Sequence, residues 1–161
     1  MQAPPASFIE LLQKKILPNV QRIALLLSLA GLLFTILNYP GASELLLIGL
    51  SALASAYFLM AFMPLQIRSG MQPALYVPVL LKAIYISCSV VCIGALFHFL
   101  KLEGGGQMLL VGTSATGVAL LASGALAVGK KDNWIPLKDA IIRGSGIFLL
   151  GIFMLRQSSI I

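Results

Sequence analysis

The chain has 161 residues, 59% of them hydrophobic and only 10% charged, with a mean hydropathy of +0.99 and a net charge of +6. Soluble domains are roughly half apolar and about a quarter charged, so this is an integral membrane protein with no room for a separate aqueous catalytic domain. Its Lys and Arg residues sit at the ends of apolar runs, not along a polar face interleaved with aromatics, which argues against a nucleic-acid partner and for charges that orient spans.

In chain order, residues 6–17, "ASFIELLQKKIL", form an amphipathic pattern. Phe8, Ile9, Leu12 and Ile16 share one helical face, Glu10, Gln13 and Lys14 lie opposite, and Pro18 ends the segment. It reads either as an interfacial helix on anionic lipid or as an extension of the first span. No small-residue cleavage signature precedes it, so no removable signal peptide is expected.

Five stretches meet the requirement of about 20 predominantly apolar residues: Ile23 to Tyr39, Glu44 to Pro64, Val77 to Leu100, Gln107 to Gly129, and Lys138 to Arg156. The fifth carries Lys138, Asp139 and Arg143 in its first turns. None alternates as a barrel strand would, and backbone groups in lipid must be satisfied internally, so helices are expected. The fold class is therefore all-α, one polytopic transmembrane helical bundle over residues 1–161. With the N-terminus in the cytoplasm, nine basic residues (Lys14, Lys15, Arg22, Arg68, Lys82, Lys130, Lys131, Lys138 and Arg143) fall on the inner side, against Lys101 and Arg156 outside. That bias follows the positive-inside rule and points to a bacterial inner membrane with the C-terminus outside. Cys88 and Cys92 are spaced i, i+4 in one apolar run. A disulfide there would be strained, which leaves two packing or lipid-facing thiols, or half of a metal site needing ligands from another helix. Neither metal nor cofactor is expected.

A repeat runs through the chain. At a shift of 63 residues, Gly31–Met60 aligns without gaps on Gly94–Ser123 with 11 of 30 positions identical, where composition alone gives roughly three or four. Each unit, about 20–64 and 83–127, holds two crossings, so the copies run parallel, related by an axis near the membrane normal. The last helix, with Gly151 before "IFML", resembles the start of a third unit. Pro40-Gly41 and Gly104-Gly105-Gly106 supply the turns. Ser43 is expected to cap the second helix, with Glu44 at its positive dipole end. Small residues at Gly49, Ala52 and Ala56, and at Gly112, Ala115 or Thr116, and Ala119, would let a neighbouring helix approach closely, packing being the main source of association in lipid.

The segment "PGASELLLIGLSALASAYFLMAFMP" resembles the membrane hairpin of the GldL-type gliding-motility and type IX secretion proteins. Gly31-Leu32-Leu33-Phe34, Ile48-Gly49-Leu50 and Ala61-Phe62-Met63-Pro64 carry the likeness, as do Gly94-Ala95-Leu96-Phe97 and Met108-Leu109 in the second copy. That family couples proton flow to motion through an intramembrane glutamate, but the aligned positions here are Leu53 and Thr116. Neither titrates, and no stretch of these 161 residues corresponds to the family's long cytoplasmic tail. The resemblance implies a shared hairpin and a habit of forming complexes, not a proton motor.

Ionisable residues within a span are functional candidates unless they can snorkel to an interface. Lys82 can reach the headgroups. Asp139 and Arg143, at i, i+4 with Lys138 beside them, form either a paired cluster that meets lipid phosphate or a substrate or ion site. His98 is either a satisfied interfacial group or a proton relay. Thr113, Ser114 and Thr116 are either interhelical glue or a solute-binding surface. No HExxH, GxxxxGK[ST] or GxSxG pattern occurs, so no enzymatic activity is expected. The expected function is a structural or interaction component of a membrane assembly, partnered by lipids and by other membrane subunits or further copies. The alternative is a small solute or ion transporter or channel, with a polar path near Thr113, Ser114, Thr116, Asp139 and Arg143.

Overall fold

The computed structural model describes residues 16–63, 76–127 and 131–158. These form five helices: α1 (Leu17–Ile36), α2 (Ala42–Phe62), α3 (Tyr76–Phe99), α4 (Gly105–Ala127) and α5 (Lys131–Ser158), with no strand among the described residues. The helices α1 to α4 are long and apolar enough to cross a membrane. The helix α5, at 28 residues, is the longest and begins well ahead of the expected 138, taking in the charged stretch from Lys131 to Arg143. Residues 6–15 of the amphipathic segment lie outside the described residues, while Leu17 and Pro18 belong to the first turn of α1, where proline's missing N–H costs nothing.

The turn into α2 differs from expectation. Ser43 is not the cap: Gly41 adopts a left-handed conformation (φ 87°) that starts the helix at Ala42, and its carbonyl accepts the Leu45 N–H at 3.2 Å. Ser43 therefore lies inside the first turn, and its hydroxyl donates to the Glu44 carboxylate at 3.0 Å. Glu44 does sit in that first turn, next to the positive end of the helix.

The chain leaves α1 with Asn38 at φ 54°, the Leu37 N–H donating to Leu33 O at 3.0 Å and the Tyr39 N–H to Phe34 O at 2.9 Å. This six-to-one bond closes a left-handed helix terminus. Sixty-three residues later Lys101 stands at φ 54° and Gly104 at φ 81°, with Leu100 donating to Leu96 O at 3.0 Å and Leu102 to Phe97 O at 2.9 Å. A lysine in that conformation is disfavoured by about 1–2 kcal/mol, so the second turn is held by its surroundings.

Glycine contacts follow the same interval. A Cβ on Gly31 would come within 2.9 Å of the Leu46 nitrogen, and one on Gly94 within 2.7 Å of the Leu109 nitrogen. In the reverse direction, a Cβ on Gly49 would meet Ser28 N at 2.7 Å and one on Gly112 would meet Val91 N at 2.8 Å. Within each hairpin the two helices thus touch backbone to backbone, each through a glycine of its own. Dispersion contacts of this kind are the main attraction available where lipid is as apolar as leucine.

Each helix packs on its chain neighbour, and α5 also returns to α3. The larger buried cluster centres on α3, through Val77, Ile84, Cys88 and Val91, and takes Leu53 and Tyr57 from α2 and Leu137, Ala140 and Ile147 from α5. A second cluster, formed by Leu46, Leu50, Ala95, Leu109 and Met154, lies towards the hairpin turns. The Ser89 hydroxyl donates across to Ala54 O at 3.0 Å, tying α3 to α2. The outer perimeter is apolar as well: Leu121 is 77% exposed and Val118 68%, as lipid-facing side chains should be.

Candidate functional site

Arg143 projects from the middle of α5, and its guanidinium donates to Gln21 Oε1 of α1 at 2.6 Å. It does not close on Asp139, as the i, i+4 spacing suggested. Gln21 is buried, and its amide nitrogen donates in turn to the Met60 sulfur of α2 at 3.0 Å. Gln21 lies four residues into α1 and Met60 two before the end of α2, about 6 Å and 3 Å from those ends. Arg143 is therefore level with the N-terminal end of α1, although it stands twelve residues into α5.

From Arg143 a cleft of about 320 Å³ runs between α1, α2 and α5. Leucines of all three helices line it, together with Tyr57, Ser28 and Cys92. The ring of Tyr57 stacks on Tyr85 of α3 at 6.3 Å, and the Ser28 hydroxyl is spent on Ala24 O at 2.8 Å. Among the described residues, Arg143 is the one charged side chain lining this space.

The other candidate residues do not converge on it. Lys138 and Asp139 are exposed near the start of α5. Thr116 is fully buried and donates to Gly112 O at 2.7 Å, and the exposed Ser114 donates to Val111 O at 3.0 Å. Thr113 is buried against Gly151 of α5, eight residues beyond Arg143 and so about 12 Å away along that helix. His98 is half-buried beside the Phe99 ring, at 6.2 Å between centroids. Of the small positions, Gly49, Ala56, Gly112 and Ala119 are buried, Ala52 is half-buried against the core, and Ala115 faces outward. Cys88 and Cys92 are free, buried thiols. Among the described residues no group of three or more His, Cys, Asp and Glu could hold a metal ion.

Thr113 Oγ1 is buried with no hydrogen-bond partner among the described residues. An orphan buried hydroxyl carries its full desolvation penalty, which the isosteric Val lacks. Thr113→Val is thus expected to raise stability by about 1 kcal/mol, read as a shift in the midpoint of unfolding by SDS in mixed micelles.

Sequence reasoning overlooked Gln21. It stands beside Arg22 at the edge of the first apolar run, where a polar residue reads as a flank. Its burial was the missing signal, and its two side-chain partners, Met60 and Arg143, lie 39 and 122 positions away. No protein-family model, curated protein or solved structure matches this chain.

Proposed function

We propose that this chain is a structural or interaction component of a membrane assembly, built from two copies of one helical hairpin and a fifth crossing helix. The observation that carries this reading is the close packing of α4 against α5. Thr116 satisfies itself on its own helix, and Thr113 is sealed against Gly151, so the hydroxyls a solute would need are turned to packing. The duplicated hairpin is supported by the turn hydrogen bonds and glycine contacts that return after 63 residues. Orientation with the N-terminus in the cytoplasm of a bacterial inner membrane is supported by charge. Arg22, Lys82, Lys138 and Arg143 stand at that end of the described bundle, against Lys101 and Arg156 at the other, as the positive-inside rule requires. The likeness to the GldL-type hairpin fits a subunit that works in company, without the carboxylate a proton motor would use.

One observation favours the second reading, a small transporter or channel: a charged side chain stands at the mouth of an intramembrane cleft. Single cysteines at positions 113, 116 and 143, introduced after Cys88 and Cys92 are replaced by Ala, separate the two. The scaffold reading expects a membrane-impermeant thiol reagent to label position 143 alone. Labelling of all three from the aqueous phase would reveal a continuous wet path and overturn it.

A further inference from the structure

We infer that the cleft between α1, α2 and α5 binds an anionic phospholipid, its phosphate on Arg143 and one acyl chain along the leucine walls. The inference rests on α5 crossing the bilayer beside α1. A guanidinium has five N–H donors, and among the described residues Arg143 spends one on the neutral Gln21 amide oxygen and makes no ion pair. Arg143 is exposed at the edge of the bundle, so its remaining donors are open to a lipid phosphate. The depth is right for one, because Gln21 and Met60 hold the guanidinium within the first turn or so of the bundle end, where lipid phosphates lie.

The shape is also that of a chain site. From Arg143 the cleft continues to Leu150 on α5 and Leu32 on α1, about 10 Å and 16 Å along the two helices measured from Arg143 and Gln21. It therefore runs from headgroup level into hydrocarbon. Leu29 on its rim is half exposed, so a chain can enter sideways from the bilayer. At 320 Å³ the space sits at the small end of ligand pockets, about 300–1,000 Å³, as one chain requires. A helix of another protein would have to bring its own carboxylate to Arg143, whereas an anionic lipid carries that charge at this depth already. The net charge of +6 and the exposed Arg22 next to Gln21 select an anionic over a zwitterionic headgroup.

The test uses the full chain in vesicles of phosphatidylcholine and phosphatidylglycerol, with a photoactivatable acyl chain carried by one lipid or the other, and peptide mapping of the adducts. Adducts from the phosphatidylglycerol probe are expected to concentrate at Leu29, Leu32 and Leu150, and the phosphatidylcholine probe is expected to leave them unlabelled above the perimeter background. Arg143→Gln should lower that labelling about fivefold, the worth of one basic residue near an anionic surface. Gly146→Leu is the second variant. Gly146 lines the cleft with nothing within 4 Å of its missing Cβ, so leucine there fills the groove without a clash and should reduce labelling to the perimeter level. Equal labelling by the two probes, or indifference to both substitutions, would overturn the site. Absence of label at the exposed Leu149 and Phe153 of α5, with α1 to α4 labelled, would overturn the crossing of α5 and this site with it.

Discussion

Gly49→Ala is expected to lower the unfolding free energy by about 1–3 kcal/mol, and Gly112→Ala by a similar amount, whereas Gly124→Ala should be neutral or stabilising by up to about 1 kcal/mol. All three are glycines in helices, and on propensity alone each would gain from alanine. The difference is what the new methyl meets. At position 49 it comes within 2.7 Å of Ser28 N, at 112 within 2.8 Å of Val91 N, and at 124 it meets nothing within 4 Å. Ser28 N and Val91 N belong to helical backbone, so relief requires the two helices of a hairpin to separate along their length. SDS titration of each variant in mixed micelles, followed by helical circular dichroism, gives the comparison. Equal effects at all three positions would mean that the hairpins are not held by close backbone approach.

The second large effect is expected at Gln21. Removing its amide with Gln21→Leu should cost about 1.5–3 kcal/mol, the range for a hydrogen bond to a charged group. That stands above the roughly 0.6 kcal/mol average for interhelical hydrogen bonds in membranes, because the donor at 2.6 Å is a guanidinium. Arg143→Leu should cost a comparable amount by leaving a buried amide without its partner. In the double variant neither stranded group remains, so its cost should fall short of the sum by about 0.5–3 kcal/mol. Strict additivity would show that headgroups or water, and not Gln21, support Arg143.

These two predictions fall on either side of what could be read in advance. The apolar helices, the turns at Gly41 and Gly104 and the close-packing glycines were legible, because hydropathy, turn chemistry and residue size are local properties. Which face of a helix points inward was not. In lipid both faces are apolar, so the sequence of α4 carries no amphipathic stripe that distinguishes the buried Ala119 from the outward Ala115. Ser43 was an equally reasonable cap on residue type, and only the backbone conformation of Gly41 displaced it. The Arg143–Gln21 contact joins residues 122 positions apart; the i, i+4 rule proposed Asp139 because spacing sees only neighbours on one helix.

The packing order described for the five helices bears on how such a chain is made. Every described helix after α1 packs on the one synthesised just before it, and contacts local in sequence form fast, without long loop closure. The first hairpin can lock through Gly31 and Gly49 as soon as both its helices are in the bilayer, and the second can repeat the step against it. Only α5 reaches back to the beginning, and it does so at Gln21. Biogenesis can thus proceed as a relay, with arrival of the last helix serving as the check that the first has stayed in place.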